Sequence, residues 1–338
     1  MFCIWATISC VIFDFALPLS EKALIARIRR QVKPGRRVVI GIGDDCAVLH
    51  VPPDHEALVT TDFSLEGVHF RRDWHPAESV GHRCLARGLS DIAAMGGESI
   101  AAFISLALPD DLSQSWVNGF SKGLLKLADS AEVSLAGGDT AQSLHGILAD
   151  VMVLGSVPKG KAILRTGARA GDRIYLSGEL GGSAATLDRL RRSAKHKLNP
   201  NHFTQHFWPQ PRLGLGRILR ERGLASAMID ISDGLSTDLT HICEESGVGA
   251  EILTEAIPRS SIGQHLHEVD LQFALHGGED YELLFTVPAN HQLPSRLAGV
   301  SITEIGYVTR NRKIILKTSD GKKSRLEAKG WEHFTSRK

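Results

Sequence analysis

The stretch Val38-Val39-Ile40-Gly41-Ile42-Gly43-Asp44-Asp45 reads as a short β-branched strand running into a glycine-rich, acidic turn. The same pattern returns along the chain. Ala57-Leu58-Val59-Thr60-Thr61 leads to Asp62, Ser134-Leu135-Ala136 leads to Gly137-Gly138-Asp139-Thr140, and Ala227-Met228-Ile229 leads to Asp230-Ile231-Ser232-Asp233-Gly234. Each strand end therefore presents a carboxylate. Helical stretches lie between these strands. Residues 76–95 carry Val80, Cys84, Ile92 and Met95 at helical spacing and stop at Gly96-Gly97. Residues 113–131 carry Trp116, Phe120, Leu124, Leu127 and Ala131 on one face, which reads as core. Strand and helix alternating from Val38 onward predict an α+β or mixed α/β fold rather than a bundle or a sandwich.

A chain of 338 residues with 43% hydrophobic content can bury one large core or, as expected here, two domain-sized ones. A strand over 147–157 enters Pro158-Lys159-Gly160, which places a domain boundary there: 19–157 form a first domain and 158–338 a second. Residues 189–210, rich in charge, His and Pro, read as a surface excursion. The first fifteen residues are apolar, but Asp14 interrupts them with no Lys or Arg before it, unlike a secretory signal, and they are too short to span a membrane. Residues 1–18 are expected to be an extension, or an upstream start-codon choice, with no assigned role.

Thirty-nine basic residues against 38 acidic ones leave a net charge of +1, which creates no field to hold nucleic acid or a membrane surface. The expected partners are small molecules. Five cysteines (Cys3, Cys10, Cys46, Cys84, Cys243) form an odd set without a C-x-x-C pair, against both a disulfide framework and a thiolate zinc site. They read as reduced thiols in a cytoplasmic protein.

The chemistry rests on the acids gathered at the turns: Asp44, Asp45, Asp62, Asp139, Asp230 and Asp233. Asp91 joins them from the last turn of the first helix, where the helix dipole disfavours a carboxylate. If these groups converge, their mutual repulsion requires bound cations to keep them ionised. Carboxylate oxygen suits hard cations, and magnesium characteristically bridges protein carboxylates to substrate phosphates. That combination points to phosphoryl transfer, with the neighbouring glycines letting backbone amides approach phosphate oxygens. Taken singly, each Asp-Gly or Gly-Gly turn is also ordinary turn chemistry, and spacing alone leaves both readings open.

Other catalytic patterns fail on inspection. Gly155-Ser156-Val157-Pro158-Lys159-Gly160-Lys161-Ala162 nearly spells a phosphate-binding loop, but Ala162 lacks the hydroxyl that would ligand magnesium and Pro158 removes an amide donor. It reads as an interdomain linker. No H-E-x-x-H and no G-x-S-x-G occurs, and Gly41-x-Gly43 lacks the third glycine of a dinucleotide fingerprint.

The motifs taken together resemble a known family. In the first domain these are Gly41-Ile-Gly-Asp-Asp-Cys-Ala-Val-Leu49, Thr60-Thr-Asp62 with Gly67-Val-His-Phe70, and Leu89-Ser-Asp-Ile-Ala-Ala-Met-Gly96. In the second they are Arg165-Thr-Gly-Ala-Arg-Ala-Gly-Asp172, Ile229-Asp-Ile-Ser-Asp-Gly-Leu-Ser-Thr-Asp-Leu239 and Gly277-Gly-Glu-Asp-Tyr-Glu-Leu-Leu-Phe285. The set resembles the thiamine-monophosphate kinases from about Leu24 to Trp331. The sequence departs from that pattern in its apolar stretch before Leu24 and at Thr60, where Ser is expected. Neither change removes an oxygen ligand.

The resemblance implies the fold of aminoimidazole ribonucleotide synthetases: a mixed-sheet first domain that binds ATP and magnesium and dimerises, and an α+β second domain that completes the nucleotide and substrate sites. It implies ATP-dependent phosphorylation of thiamine monophosphate to thiamine diphosphate, the last step in making that cofactor, by a homodimer using several magnesium ions. By analogy Asp45, Asp62, Asp91, Asp139, Asp230 and Asp233 hold the metal, helped by Thr60 and Thr61. Asp45, Gly138, Asp139, Arg165 and Ser232 serve ATP, while His69, Glu279 and Trp331 face the substrate. The acceptor phosphate is already ionised near neutral pH, so no side chain is assigned as acid or base. Rival readings are a selenophosphate or aminoimidazole ribonucleotide synthetase, and a noncatalytic maturation protein of the same fold. A selenophosphate synthetase would want a reactive Cys in a glycine-rich amino-terminal loop, where Cys3 and Cys10 do not lie.

Overall fold

The computed structural model describes residues 21–33, 35–192 and 198–331. The expectation for residues 1–18 lies outside them. Two mixed sheets organise the rest. The first has four strands in the order His55–Leu65, Leu148–Pro158, Glu98–Leu108 and Ser134–Gln142, antiparallel except for the last pair. Strand alternation sends Ala149, Val151 and Val153 to one face, where they are fully buried. The helices Ala77–Ala94 and Gln114–Ser130 cover that face, packing Leu85, Leu89, Phe120, Leu124 and Leu127 against it.

The second sheet runs Lys323–Arg325, Ile314–Lys317, Gly249–Leu253, Val300–Thr309, Arg173–Ser177, Leu283–Val287 and Ala227–Asp230, with Arg296–Leu297 paired to Val300–Thr309 off this line. Only Ile314–Lys317 against Gly249–Leu253 is parallel. Helix Leu235–Ser246 contributes Leu235, Leu239 and Ile242 to the core on one side.

A third apolar cluster joins the two units. Ala93 and Ala94, at the end of helix Ala77–Ala94, pack with Leu215, Leu219, Met228 and Phe285. That helix is therefore enclosed nearly all round, and its polar residues Arg83, Arg87, Ser90 and Asp91 fall on one stripe at helical spacing. The stripe sits where the two sheets approach each other.

The near-match to a phosphate-binding loop is a closed turn. Its amides at Lys159, Gly160 and Lys161 donate to Asp54 O, the Glu56 carboxylate and Pro158 O, which leaves them engaged within the protein. The surface excursion expected over 189–210 is corrected. Phe203 and Phe207 are buried, with His206, in a cluster that includes Ala185, Leu190 and Val269. Charge and Pro dominate the composition of that segment, but three aromatic or imidazole rings suffice to anchor it once a neighbouring surface offers a socket. No helix among the described residues is long and apolar enough to cross a membrane.

Candidate active site

Strand His55–Leu65 points Thr60 and Asp62 toward helix Ala77–Ala94, since both share the face of Val151 and Val153. Thr60 Oγ1 donates to Asp91 Oδ2. From the second sheet, Asp230 ends strand Ala227–Asp230, and its Oδ2 accepts the Ser90 hydroxyl at 2.6 Å. Three aspartates distant in sequence thus meet at the junction of the two units. Burial, reinforced by the Asp91 charge, pushes Asp62 and Asp230 each up to about 7. Burial raises Asp91 as well, against the hydrogen bond from Thr60 and the positive charge of Arg165. Near neutral pH Asp62 and Asp230 are poised between charged and neutral, the condition a bound cation relieves.

Among the described residues, no three His, Cys, Asp or Glu side chains stand close enough to enclose a metal by themselves. The aspartates interact in pairs, an open ligand set that waters and substrate phosphates complete in typical magnesium sites. Asp233 and Asp238 extend the group. Asp238 accepts the amides of Asp233 (3.2 Å) and Gly234 (3.0 Å), and burial followed by the charges of Asp230 and Asp233 raises it to about 8.

The remaining expected residues divide. Arg165 faces the cluster by charge. Ser232 lies in the loop after Asp230, and its carbonyl accepts the Glu279 amide at 2.8 Å. Asp45, on a loop, and Asp139, within strand Ser134–Gln142, are both exposed, and neither shares a hydrogen bond or ion pair with Asp62, Asp91 or Asp230 among the described residues. Asp44 accepts the Asp45 amide and so supports its own turn. Thr61 points to the opposite face of its strand from Thr60 and is exposed. Gly138 sits at φ +148°, a backbone that L side chains rarely adopt, and a Cβ there would also overlap the Ile104 carbonyl.

One to two turns nearer the start of the same helical stripe, Glu279 bridges two arginines, receiving Arg83 Nη2 at 2.6 Å and Arg87 Nη2 at 2.9 Å. Burial alone would raise its pKa, but the two guanidinium charges hold it well below the usual carboxylate range. Glu279 and Tyr281 both occupy left-handed backbone, at φ 63° and 52°. Arg87 secures this strained segment by donating to the Tyr281 hydroxyl at 3.0 Å and to the Phe63 carbonyl. Arg83 also reaches the His69 carbonyl at 3.3 Å. His69 Nδ1 accepts the Leu65 amide at 2.9 Å, which leaves the hydrogen of the neutral ring on Nε2. Trp331 is joined to the loop after Asp230 through its amide, which donates to the Asp233 carbonyl at 3.2 Å.

Several partners were not singled out from sequence. Ser90, Tyr281 and Asp238 lie inside quoted motifs, and Arg83 and Arg87 precede Asp91 by eight and four residues on one helical stripe, so a helical-wheel reading could have found them. His75 and His206 gave no such signal. Their Nε2 atoms lie 2.9 Å apart beside Arg83, with burial and that charge pushing His75 down to about 3 and His206 well below its usual range.

Two domains meet along a helix carrying Asp91, with Asp62 from a strand interior instead of the expected strand end and Asp230 from a strand end, and their matches place the chain in the AIR synthase related class. Its N-terminal domain matches residues 43–157 and its C-terminal domain residues 169–318. Within that class the chain belongs to the thiamine-monophosphate kinase family. It is 38% identical to the Escherichia coli K12 thiamine-monophosphate kinase over 326 residues, covering 94% of this chain and 98% of that protein. The crystal structure of thiamine-monophosphate kinase from Stenotrophomonas maltophilia K279a superposes with a TM-score of 0.76 at 34% identity, covering 88% of this chain and 96% of that one. AaThiL complexed with AMPPCP and TMP gives 0.74 at 32% identity, covering 93% and 97%.

Proposed function

We propose that this chain transfers the γ-phosphoryl group of ATP to the phosphate of thiamine monophosphate, giving thiamine diphosphate and ADP. The observation that carries this reading is the convergence of Asp62, Asp91 and Asp230 from two domains into one charged junction, in a family whose AaThiL member was solved with AMPPCP and TMP. Family membership favours this reaction over the selenophosphate, ribonucleotide synthetase and maturation-protein alternatives. Incubation with ATP, magnesium and thiamine monophosphate, followed by chromatography of the thiamine esters, tests it. Absence of thiamine diphosphate sinks the assignment.

The donor set fits magnesium: hard carboxylate oxygens with raised pKa values, supported by Thr60 and open toward substrate. Asp62, Asp91 and Asp230 are its proposed principal ligands, with Asp45, Thr60, Thr61, Asp139 and Asp233 completing the set. Bound magnesium would neutralise charge on the transferring phosphoryl group. Gly138, Asp139, Asp45, Arg165 and Ser232 are assigned to ATP, Arg165 supplying positive charge beside the same aspartates. No general base is needed because the acceptor oxygen is already anionic, so positioning and charge neutralisation carry the rate.

On the acceptor side, His69 presents its Nε2 hydrogen to the phosphate, and Trp331 offers an indole face to the cationic thiazolium. Glu279 keeps 21% of its side chain exposed beyond its arginine partners, enough to attract the same cation. The proposed boundary at 157/158 gives the first domain the metal and dimerisation roles and lets the second complete both substrate sites. A second copy is the proposed cover for the sheet face opposite the helices, where Val59 and Phe63 are 61% and 55% exposed. Among the described residues the thiols of Cys46, Cys84 and Cys243 are free, which supports a reducing, cytoplasmic setting.

A further inference from the structure

The last described residues cross the N-terminal end of helix Leu235–Ser246, and three successive backbone amides are held there. Lys329 N–H donates to Ser236 Oγ at 3.3 Å, Gly330 N–H to Thr237 Oγ1 at 3.0 Å, and Trp331 N–H to the Asp233 carbonyl at 3.2 Å. Ser236 Oγ also lies 2.9 Å from His276 Nδ1, which ties the same point to the helix Leu271–His276. The approach at Gly330 is too close for any side chain. A Cβ there would overlap the Asp233 carbonyl oxygen and Thr237 Oγ1.

Short side chains on the helix therefore do the work of a capping motif in reverse: they accept amides from a distant segment instead of from their own turn. The result is a chain segment seated on the loop that carries Asp230 and Asp233. Trp331, 41% exposed, faces outward from it as the aromatic residue of the segment. A long aromatic side chain at the end of a loose segment would lose ordering entropy on every binding event. Anchoring the backbone beneath it removes most of that loss in advance, which strengthens binding without adding a contact.

We infer that residues 329–331 form a strap whose seating, through Gly330 and Thr237, positions the Trp331 indole for the acceptor and so sets the enzyme's affinity for the thiazolium-bearing substrate. Gly330 and Thr237 are positioning residues in this account, acting through Trp331. The inference rests on the proposed role of Trp331 at the acceptor site.

Steady-state kinetics of the full chain with Gly330→Ala, Thr237→Val and Trp331→Ala test it. The expected result is a KM for thiamine monophosphate raised about tenfold in each variant, with kcat and the KM for ATP held within about twofold. Gly330→Ala placed on Trp331→Ala should add no further increase, because the strap then has nothing to position. A raised KM in Trp331→Ala beside wild-type values in Thr237→Val and Gly330→Ala overturns the strap and leaves the Trp331 reading intact. A wild-type KM in Trp331→Ala overturns that reading itself, and the strap's substrate role with it. Loss of kcat at unchanged KM in Thr237→Val also counts against the strap, since it shows an action through the Asp233 loop. Should Gly330→Ala not fold, Thr237→Val decides, because it removes only a hydroxyl.

Discussion

Ser90 donates its hydroxyl hydrogen to Asp230 Oδ2 at 2.6 Å, joining the helix of one domain to the strand end of the other. Ser90 has no exposed surface and Asp230 almost none, so this bond forms out of contact with bulk water, where a charged acceptor strengthens it. It also fixes the distance between Asp230 and Asp91, the residue that follows Ser90.

Ser90→Ala should therefore weaken the proposed metal site more than the fold. Losing a hydrogen bond to a carboxylate removes about 1.5–3 kcal/mol from its ionised form, so Asp230 protonates at higher pH. The expected outcome is a magnesium requirement raised about tenfold or more and an acid limb of kcat shifted toward higher pH. An unchanged magnesium titration would disprove this role.

Asp62→Asn should lower kcat about a hundredfold or more, with little effect on secondary structure by circular dichroism. Its stability effect depends on pH. The folded pKa of Asp62 lies above its ordinary 3.8, near 7, because burial and Asp91 favour the protonated form. That contribution to stability is complete below pH 3.8 and is lost as pH rises through about 7. Without magnesium, Asp62→Asn should thus melt higher than the parent at pH 8 and close to it at pH 5. Differential scanning fluorimetry at both values, with and without magnesium and ATP, reads the sign directly.

Glu279→Gln leaves Arg83 and Arg87 buried without a carboxylate between them. Removing one partner of a buried ion pair costs about 3 kcal/mol. Urea denaturation should show that loss, together with greater proteolytic sensitivity in the segment from Gly277 to Tyr281, whose left-handed backbone depends on the same arginines. Equal stability would show that the arginines find other acceptors.

Phe63→Glu places a charge on the exposed part of the sheet face opposite the helices, beyond the area that Val38 and Leu49 cover. If two copies cover that face, light scattering should report a shift from dimer to monomer, with the fold retained because Phe63 contributes little to its own core. A dimer of undiminished stability would place the interface elsewhere.

Much of the architecture was legible because it depends on local pattern. The helical spacing of Phe120, Leu124 and Leu127, and the β-branched runs ending in acids, specify elements whose periodicity the chain writes out residue by residue. The segment over 189–210 was misread for the same reason: local composition there is polar, whereas the burial of Phe203 and Phe207 depends on a surface supplied by residues far away. The site divides similarly. Asp62 and Asp230 were singled out at strand ends and Asp91 in a helix, although Asp62 lies inside its strand; their shared environment, which raises Asp62 and Asp230 to about 7, exists only after two domains close on one helix.

By itself, then, the sequence determined the element types, the acidic turns and the family motifs, because these follow from neighbours within a few residues. Tertiary structure alone decided that Ser90 meets Asp230, that Glu279 is already held by Arg83 and Arg87, and that Gly330 packs against Asp233 and Thr237. Those relations require groups tens to hundreds of positions apart to lose solvent together, and no local spacing encodes which of the many possible pairs will do so.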